Sequence, residues 1–217
     1  MKDFSQLRKN LKKDFSGFKS LKVALLGDTS TQFLAQAIRG EGFDAALDLE
    51  IWEADFNQIE MQVFNTDSEM YAFHPDVIIL FLSSHKLLNK YNKLKVEQQS
   101  SLATREIENI EAIVSIVSAN STAKIIYYNY NEIDDAVFGS YATKTETSFL
   151  YQLRKLNFEL MNIANRNTNF YVCDVATIQN QVGKANFFHT SVYISTEMVL
   201  SLNVLPLIAQ KTVDILS

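Results

Sequence analysis

LKVALLGDTSTQ, the stretch from Leu21 to Gln32, decides the fold of this chain. Its first half is an apolar run of strand length, and its second half is a Gly-Asp-hydroxyl turn that leads into a helical pattern. Such a turn can present Thr29 as a nucleophile, or offer a helix N-terminus to an anion. It can also form a capping box, in which the Thr29 hydroxyl accepts from the backbone at Gln32. The residues alone leave these three interpretations open.

Strand and helix patterns alternate along the rest of the chain. Four further apolar segments predict strands: Leu47 to Trp52, Val77 to Leu82, Ile125 to Tyr128 and Phe170 to Cys173. Helical patterns separate them: Thr31 to Arg39, Gln58 to Phe64, Val96 to Ser118, Ser148 to Asn165 and Val199 to Leu216. The segment from Lys86 to Lys95 is interpreted as a mobile basic loop. This order predicts an α/β fold, namely a three-layer α/β/α sandwich around a doubly wound, five-stranded parallel sheet with flavodoxin-like order.

The length and composition predict one folded domain. The chain has 217 residues, of which 47% are hydrophobic, and this is enough for a single core. In residues 1–20, apolar side chains recur at helical spacing among basic ones: Phe4, Leu7, Leu11, Phe15 and Phe18. This segment is predicted to be an amphipathic helix that packs on the body, residues 21–217, or on a partner. A membrane or nucleic-acid surface is the alternative.

Charge and cysteine content narrow the classes of function. The formal net charge of −5 argues against nucleic-acid binding, and no apolar run approaches the length of a membrane span. The single cysteine, Cys173, excludes an internal disulfide and favours the cytoplasm. Three scattered histidines predict no metal site.

The loops that follow the first four strands should meet at one edge of the sheet, where ligands bind in folds of this type. These loops carry the candidate substrate contacts: Gly27, Ser30, Gln32, Asp55, Gln58, Ser83, Asn129 and Asn131. Asp55 and Gln58 could instead only begin a helix. Asp28 is a candidate catalytic residue beside Thr29, and the alternative, which is favoured, is that it holds its loop together.

Several blocks of the sequence resemble the FkbH-like proteins in the same order. They are GDTSTQ from Gly27, LEIWEADFNQI from Leu49, HPDVII from His74, SFLYQLRKLN from Ser148 and VGKANFF from Val182. The resemblance covers nearly all of the chain from about Lys22 onward. It implies an N-terminal domain of the SGNH (GDSL-type) hydrolase fold.

An SGNH hydrolase needs a nucleophile, a base and oxyanion donors. On this pattern Thr29 takes the place of the serine, His85 or His189 would be the base, and Asn129 or Asn131 would supply an oxyanion donor. Asn186 stands three residues before His189, where the family pattern has an aspartate. An asparagine cannot stabilise an imidazolium by its charge, so the resemblance predicts a weakened triad.

In the FkbH-like proteins a haloacid-dehalogenase-like (HAD) phosphotransferase domain follows, and it carries the acidic nucleophile motif and magnesium. This chain lacks that motif, so the resemblance implies no cofactor here and a HAD domain expected beyond it. It favours an accessory domain that braces the HAD domain or positions a substrate on an acyl carrier protein, since the family is associated with glyceryl loading. An esterase, thioesterase or acyltransferase using Thr29 is the alternative. A third hypothesis, that the chain binds a nucleotide or phosphate, is supported only by the predicted helix N-terminus after the first strand.

Overall fold

The computed structural model describes residues 2–133 and 135–217. Its five strands are β1 (Lys19–Gly27), β2 (Leu47–Glu53), β3 (Val77–Phe81), β4 (Lys124–Tyr128) and β5 (Phe170–Cys173). They form one all-parallel sheet in the order β2-β1-β3-β4-β5. The predicted α/β fold and strand order are therefore confirmed. β1 lies between β2 and β3, where the direction of winding reverses, so ligand-binding loops are expected at its carboxyl end.

Twelve α-helices surround the sheet in the described residues. They are α1 (Phe4–Asn10), α2 (Gln32–Asp44), α3 (Ile59–Phe64), α4 (Glu69–Ala72), α5 (Ser84–Asn92), α6 (Val96–Gln99), α7 (Leu102–Asn120), α8 (Phe149–Arg166), α9 (Val175–Val182), α10 (Lys184–Phe187), α11 (Thr190–Thr196) and α12 (Leu205–Leu216). A 3-10 helix spans Gly139–Lys144. None of the helices in the described ranges combines the length and apolar character that crossing a bilayer requires.

The core consists of two apolar layers, one on each face of the sheet. Val23 and Leu25 of β1 pack with α2, α9 and α12, whereas Ala24 and Leu26 pack with α5, α7 and α8. This alternation follows from the two-residue period of a strand. Cys173 lies in the first layer beside Thr212, and burial raises the pKa of its thiol to about 12.

The N-terminal segment is helical over a shorter range than the sequence predicts. α1 begins at a capping box on Asp3 and ends at Asn10. Phe15 and Phe18 pack instead against Phe43 of α2. Gly17, at φ 82°, then turns the chain into β1, which pairs with β2 from Lys19 onward.

The prediction of a basic loop from Lys86 to Lys95 is wrong. Most of it is α5, which begins where the Ser83 hydroxyl accepts a hydrogen bond from the Lys86 amide. Leu87 and Tyr91 of this helix are buried. The single helix predicted from Val96 to Ser118 is two helices, α6 and α7.

Candidate functional site

The turn after β1 lies at the centre of the carboxyl edge of the sheet. Gly27 ends β1, and a Cβ atom there would stand 2.6 Å from Thr31 Cγ2, so only glycine fits. The Gly27 carbonyl accepts from the amide of Asn57 in the loop after β2, at 3.2 Å. The Asp28 amide donates to the Phe81 carbonyl at the end of β3. Three strand ends are therefore tied together around this turn.

Asp28 and Thr29 line two different cavities. The Asp28 cavity has a volume of about 340 Å³, and its polar lining includes Asn57, Ser83, Lys86, Lys90, Glu106 and Asn109. The Thr29 cavity has a volume of about 560 Å³, and its polar lining is Thr29, Ser30, Thr31, Gln32, Glu53, Asp55 and Thr196. The predicted site residues thus divide between two sides of the sheet edge.

The Asp28 carboxylate fixes the start of α5. Both of its oxygens accept from the Ser83 amide, at 2.9 and 3.0 Å. Burial nevertheless raises the pKa of this carboxyl to about 7. Deeper in the cavity, the buried Glu106 carboxylate forms an ion pair with Lys90. The predicted structural role of Asp28 agrees with these contacts, and its pKa makes it able to gain or lose a proton near neutrality.

Thr29 does not form the predicted capping box. The N-cap of α2 is Thr31, whose hydroxyl donates to Glu53 Oε2 at 2.8 Å. The Thr29 side chain is 1% exposed, and its hydroxyl has no hydrogen-bond partner among the described residues. The capping interpretation is therefore wrong, because the turn extends two residues further before the helix begins. A buried hydroxyl without a partner is unusual, and leaving it so costs roughly 1 to 3 kcal/mol.

The structure holds neither candidate base against the Thr29 hydroxyl. The His85 ring stacks on Phe188 at a centroid distance of 4.2 Å and lies beside Tyr193. Its Nδ1 is buried without a partner in the described part of the chain, and burial lowers the pKa of the imidazole. His189 is exposed at the N-cap of α11 and lines a neighbouring cavity, which shares Phe33, Thr196 and Met198 with the Thr29 cavity.

The side chain of Asn186, three residues before His189, makes a local hydrogen bond. The Asn186 side chain donates to the Val182 carbonyl one turn back, at 2.8 Å. Among the described residues, the His189 imidazole has no carboxylate that would orient it. The base and its orienting residue are thus not assembled around Thr29.

Asn129 and Asn131 hold the loops after β4 in place. Asn129 donates to Asp174 at 2.9 Å and accepts from the Ala176 amide. The carbonyl and side-chain oxygens of Asn131 both accept from Ser84, at 2.6 and 3.1 Å. Neither asparagine is placed in either cavity, so both make the contacts expected of structural residues.

The remaining candidates lie around the Thr29 cavity or at its border. Ser30, Gln32 and Asp55 line it, and Asp55 is exposed. Gln58 is the N-cap of α3 without a side-chain hydrogen bond and lines neither cavity. Gln58 therefore stands at the entry of a helix, which is one of the two roles predicted for it, whereas ligand contact by Asp55 stays a prediction.

A C-terminal strap, residues 184–198, covers the turn after β1. The Ser30 amide donates to the Glu197 carbonyl at 3.3 Å, and the Glu197 carboxylate forms an ion pair with Lys86 at 3.4 Å. Sequence reasoning missed Glu53, Glu197 and the Lys90–Glu106 pair. The four-residue spacing of Lys86 and Lys90 was the available signal for a helical face. Nothing local in the sequence indicates the partners of these residues.

No group of three or more His, Cys, Asp or Glu side chains in the described ranges is placed to hold a metal ion. Two carboxylates of the Asp28 cavity, those of Asp28 and Glu106, are engaged with Ser83 and Lys90, and Glu60 also lines this cavity.

Comparison with known proteins identifies relatives of the chain. Residues 22–217 match the family model described as "FkbH, N-terminal domain". A crystal structure of the N-terminal part of the protein BF1531 from Bacteroides fragilis, containing a phosphatase domain complexed with Mg, is 44% identical with a TM-score of 0.92. The match covers 100% of the present chain and 56% of that chain, so the present chain spans little more than half of that relative.

Two further solved structures share the fold at low identity. A lipase/acylhydrolase from Enterococcus faecalis is 14% identical, with a TM-score of 0.57 over 90% of this chain and 95% of its own. The acetyl xylan esterase AlAXEase is 11% identical, with a TM-score of 0.53 over 91% of this chain and 100% of its own. Comparison with curated proteins gave no match. These two neighbours establish an SGNH-type α/β fold.

Proposed function

The chain belongs to the FkbH N-terminal domain family, and we propose that it is a non-hydrolytic accessory domain that positions a substrate for a phosphatase-type HAD domain. The proposal draws on the relative from Bacteroides fragilis, whose N-terminal part contains a phosphatase domain and is 44% identical to this chain. Magnesium would then belong to the phosphatase domain. The proposed setting is the cytoplasm, where the single cysteine would stay reduced.

The observation that carries the proposal is the separation of Thr29 from any base. The Thr29 hydroxyl is buried without a partner among the described residues, and the His85 ring packs in a cluster with Phe188 and Tyr193. His189 is exposed in a neighbouring cavity and makes no hydrogen bond to Thr29. A hydroxyl nucleophile without a base stays protonated near neutral pH and attacks slowly.

The substrate would enter from the carboxyl edge of the sheet, where the Thr29 cavity is lined by hydroxyl and carboxylate groups. An acyl carrier protein is the proposed donor of that substrate, following the family resemblance. In this arrangement the domain binds and orients, and the bond-breaking step takes place in the phosphatase domain.

Esterase or acyltransferase activity through Thr29 is the second candidate. The observation that favours it is the same unpartnered hydroxyl, because a bound acyl group could occupy the space beside it. A strap movement that swings His189 toward Thr29 would be needed to supply the base.

Ester hydrolysis distinguishes the two candidates. We expect p-nitrophenyl acetate and an acetyl thioester to be hydrolysed at equal rates by the wild type, Thr29→Val and the control Thr104→Val, which changes an exposed threonine on α7. Valine keeps the shape of threonine and removes only the hydroxyl. Turnover in the wild type and the control that is lost in Thr29→Val would establish the enzyme and end the accessory proposal, because valine lacks the attacking hydroxyl.

Binding tests the accessory role directly. A separately produced FkbH-type phosphatase domain, or an acyl carrier protein, should shift the amide resonances of the ¹⁵N-labelled chain. The absence of shifts with either protein at high concentration would contradict the proposed role.

A further inference from the structure

We infer that the Thr29 cavity binds a neutral, polyhydroxylated ligand. The inference rests on the proposed function in one respect, because it treats this cavity as a binding site and not as a hydrolytic centre. It adds the chemical class of what is bound. Three features of the cavity carry it: an unsatisfied hydroxyl, an uncapped helix N-terminus and a pair of carboxylates.

The unsatisfied hydroxyl belongs to Thr29. Its side chain is 1% exposed and lines the cavity, and its oxygen has no partner in the described part of the chain. A hydroxyl can donate one hydrogen bond and accept two, so it can pair with either a donor or an acceptor group of a ligand. This oxygen exposes less than 1 Å², so a ligand can pair with it only when the turn shifts to open it to the cavity. The free energy lost by burying it unpaired would then be regained.

The uncapped helix N-terminus belongs to α2. This helix has 13 residues, and no described side chain caps it, because the Thr31 hydroxyl is directed to Glu53. The first amides of a helix lack partners within it, and the helix dipole adds a partial positive charge there. This end of the cavity therefore offers hydrogen-bond donors and disfavours an ammonium group.

The carboxylates are those of Glu53, which contacts the N-cap of α2 through Thr31, and of Asp55. Thr31 occupies one oxygen of Glu53, which leaves the other oxygen and the Asp55 carboxylate as acceptors. No lysine, arginine or histidine is among the described lining residues. Two carboxylates with no basic side chain among the described lining residues disfavour phosphate and carboxylate ligands, although a helix N-terminus by itself would attract them.

A neutral polyol is the class of ligand that can pair with both the amide donors of α2 and the carboxylate acceptors. Its oxygens accept from the α2 amides, and its hydroxyl hydrogens donate to Glu53 and Asp55. Phe33 and Phe56, which are 39% and 54% exposed, line the same cavity and offer apolar faces for the C–H groups of a sugar ring. The volume of about 560 Å³ lies within the range of small-molecule sites.

Titration of the ¹⁵N-labelled chain with defined probes tests the ligand class. We expect erythritol and methyl β-D-glucopyranoside to shift the amides of residues 29–34 saturably, and inorganic phosphate and choline to leave them unchanged. Thr29→Val should weaken polyol binding roughly 5-fold, the loss of one hydrogen bond. Glu53→Gln should weaken it to a similar degree, and the control variants Thr104→Val and Glu108→Gln, both at exposed sites on α7, should bind as the wild type does.

Three results would overturn the inference. The first is phosphate binding that becomes stronger in the Glu53→Gln variant, and the second is choline binding that the same variant loses. The third is the absence of amide shifts with any of the probes. The amide spectrum of each variant also reports whether it is folded. Failure of the ligand class is separable from failure of the accessory role. If the chain binds no polyol and hydrolyses no ester, only the inference about the ligand class fails. If it hydrolyses esters in a Thr29-dependent manner, the proposed accessory role fails.

Discussion

Asp28 and Thr29 are adjacent in the chain and have separate chemical surroundings. Successive side chains at the end of a strand point to opposite faces of the sheet. Asp28 accordingly faces the α5 and α7 side, with Lys86 and Lys90, and Thr29 faces the start of α2. A change in one of these side chains should leave the other's cavity intact.

Asp28 should make stability depend on pH between about 4 and about 7. Its carboxyl has a pKa of about 7 in the fold against an ordinary value of 3.8, so the folded chain holds an extra proton in this window. Its favourable contribution is therefore present below about 3.8 and is lost as the pH rises through about 7. The free energy of unfolding of the wild type should fall relative to that of Asp28→Asn, by at most about 1.4 kcal/mol per pH unit.

Urea unfolding of both proteins across this pH range measures the difference. Asp67→Asn, which changes an exposed carboxylate far from the turn, is the control and should give a curve parallel to that of the wild type. Parallel curves for the wild type and Asp28→Asn would contradict the expectation.

At the scale of the elements, side chains of α5 help to hold the strap to the body. His85 contacts Phe188 and Tyr193, and Lys86 pairs with Glu197, so consecutive residues of one helix turn hold the strap at both ends. The ion pair is half exposed and therefore contributes little. Phe187 of the strap is buried in the core, and the stacked rings of His85, Phe188 and Tyr193 add to this attachment.

His85→Ala should loosen the strap without unfolding the domain. An aromatic pair contributes about 0.5 to 1.5 kcal/mol beyond its burial, so amide exchange in residues 184–198 should become roughly 2- to 10-fold faster. Hydrogen exchange followed by mass spectrometry measures this, with β3 and β4 as internal references. His74→Asn, at an exposed histidine with positive φ, is the matched control. Unchanged exchange in the strap would show that the stack does not hold it.

At the scale of the whole molecule, α1 is part of the domain although the family match begins at residue 22. Leu7 is 0% exposed and lies in the apolar layer with Ile38 and Val213. Gly40 of α2 permits this contact, because a Cβ there would stand 2.4 Å from the Leu7 carbonyl oxygen. The domain therefore includes its N-terminal helix.

Leu7→Ala should lower the free energy of unfolding by about 2 to 5 kcal/mol, as expected when a large core side chain is removed. A chain that begins at Lys19 should lose at least as much. Thermal unfolding compares both with Lys9→Ala, an exposed position on the same helix. Equal melting temperatures for all of these proteins would mean that α1 only rests on the surface.

The sequence predicts the sheet better than the site. Four of the strands are continuous apolar runs, and β2 alternates apolar with acidic residues as a half-exposed strand does. Both signals are local, so all five strands could be located in advance. α5 was hidden because lysines and asparagines surround Leu87 and Tyr91. The division of Asp28 and Thr29 between two cavities, and the stacking of His85 on Phe188, depend on contacts between distant residues. No local pattern in the sequence predicts such contacts.

The burial of Cys173 has a practical consequence for following these motions. Its thiol is 1% exposed and, with a pKa of about 12, stays protonated, so thiol-directed dyes should not react with it in the folded protein. The chain contains no other cysteine. Ile194→Cys, at a strap position that is 78% exposed, would therefore introduce a single reactive handle. A fluorophore or spin label attached there would report strap movement during ligand and partner binding while every other native residue stays in place.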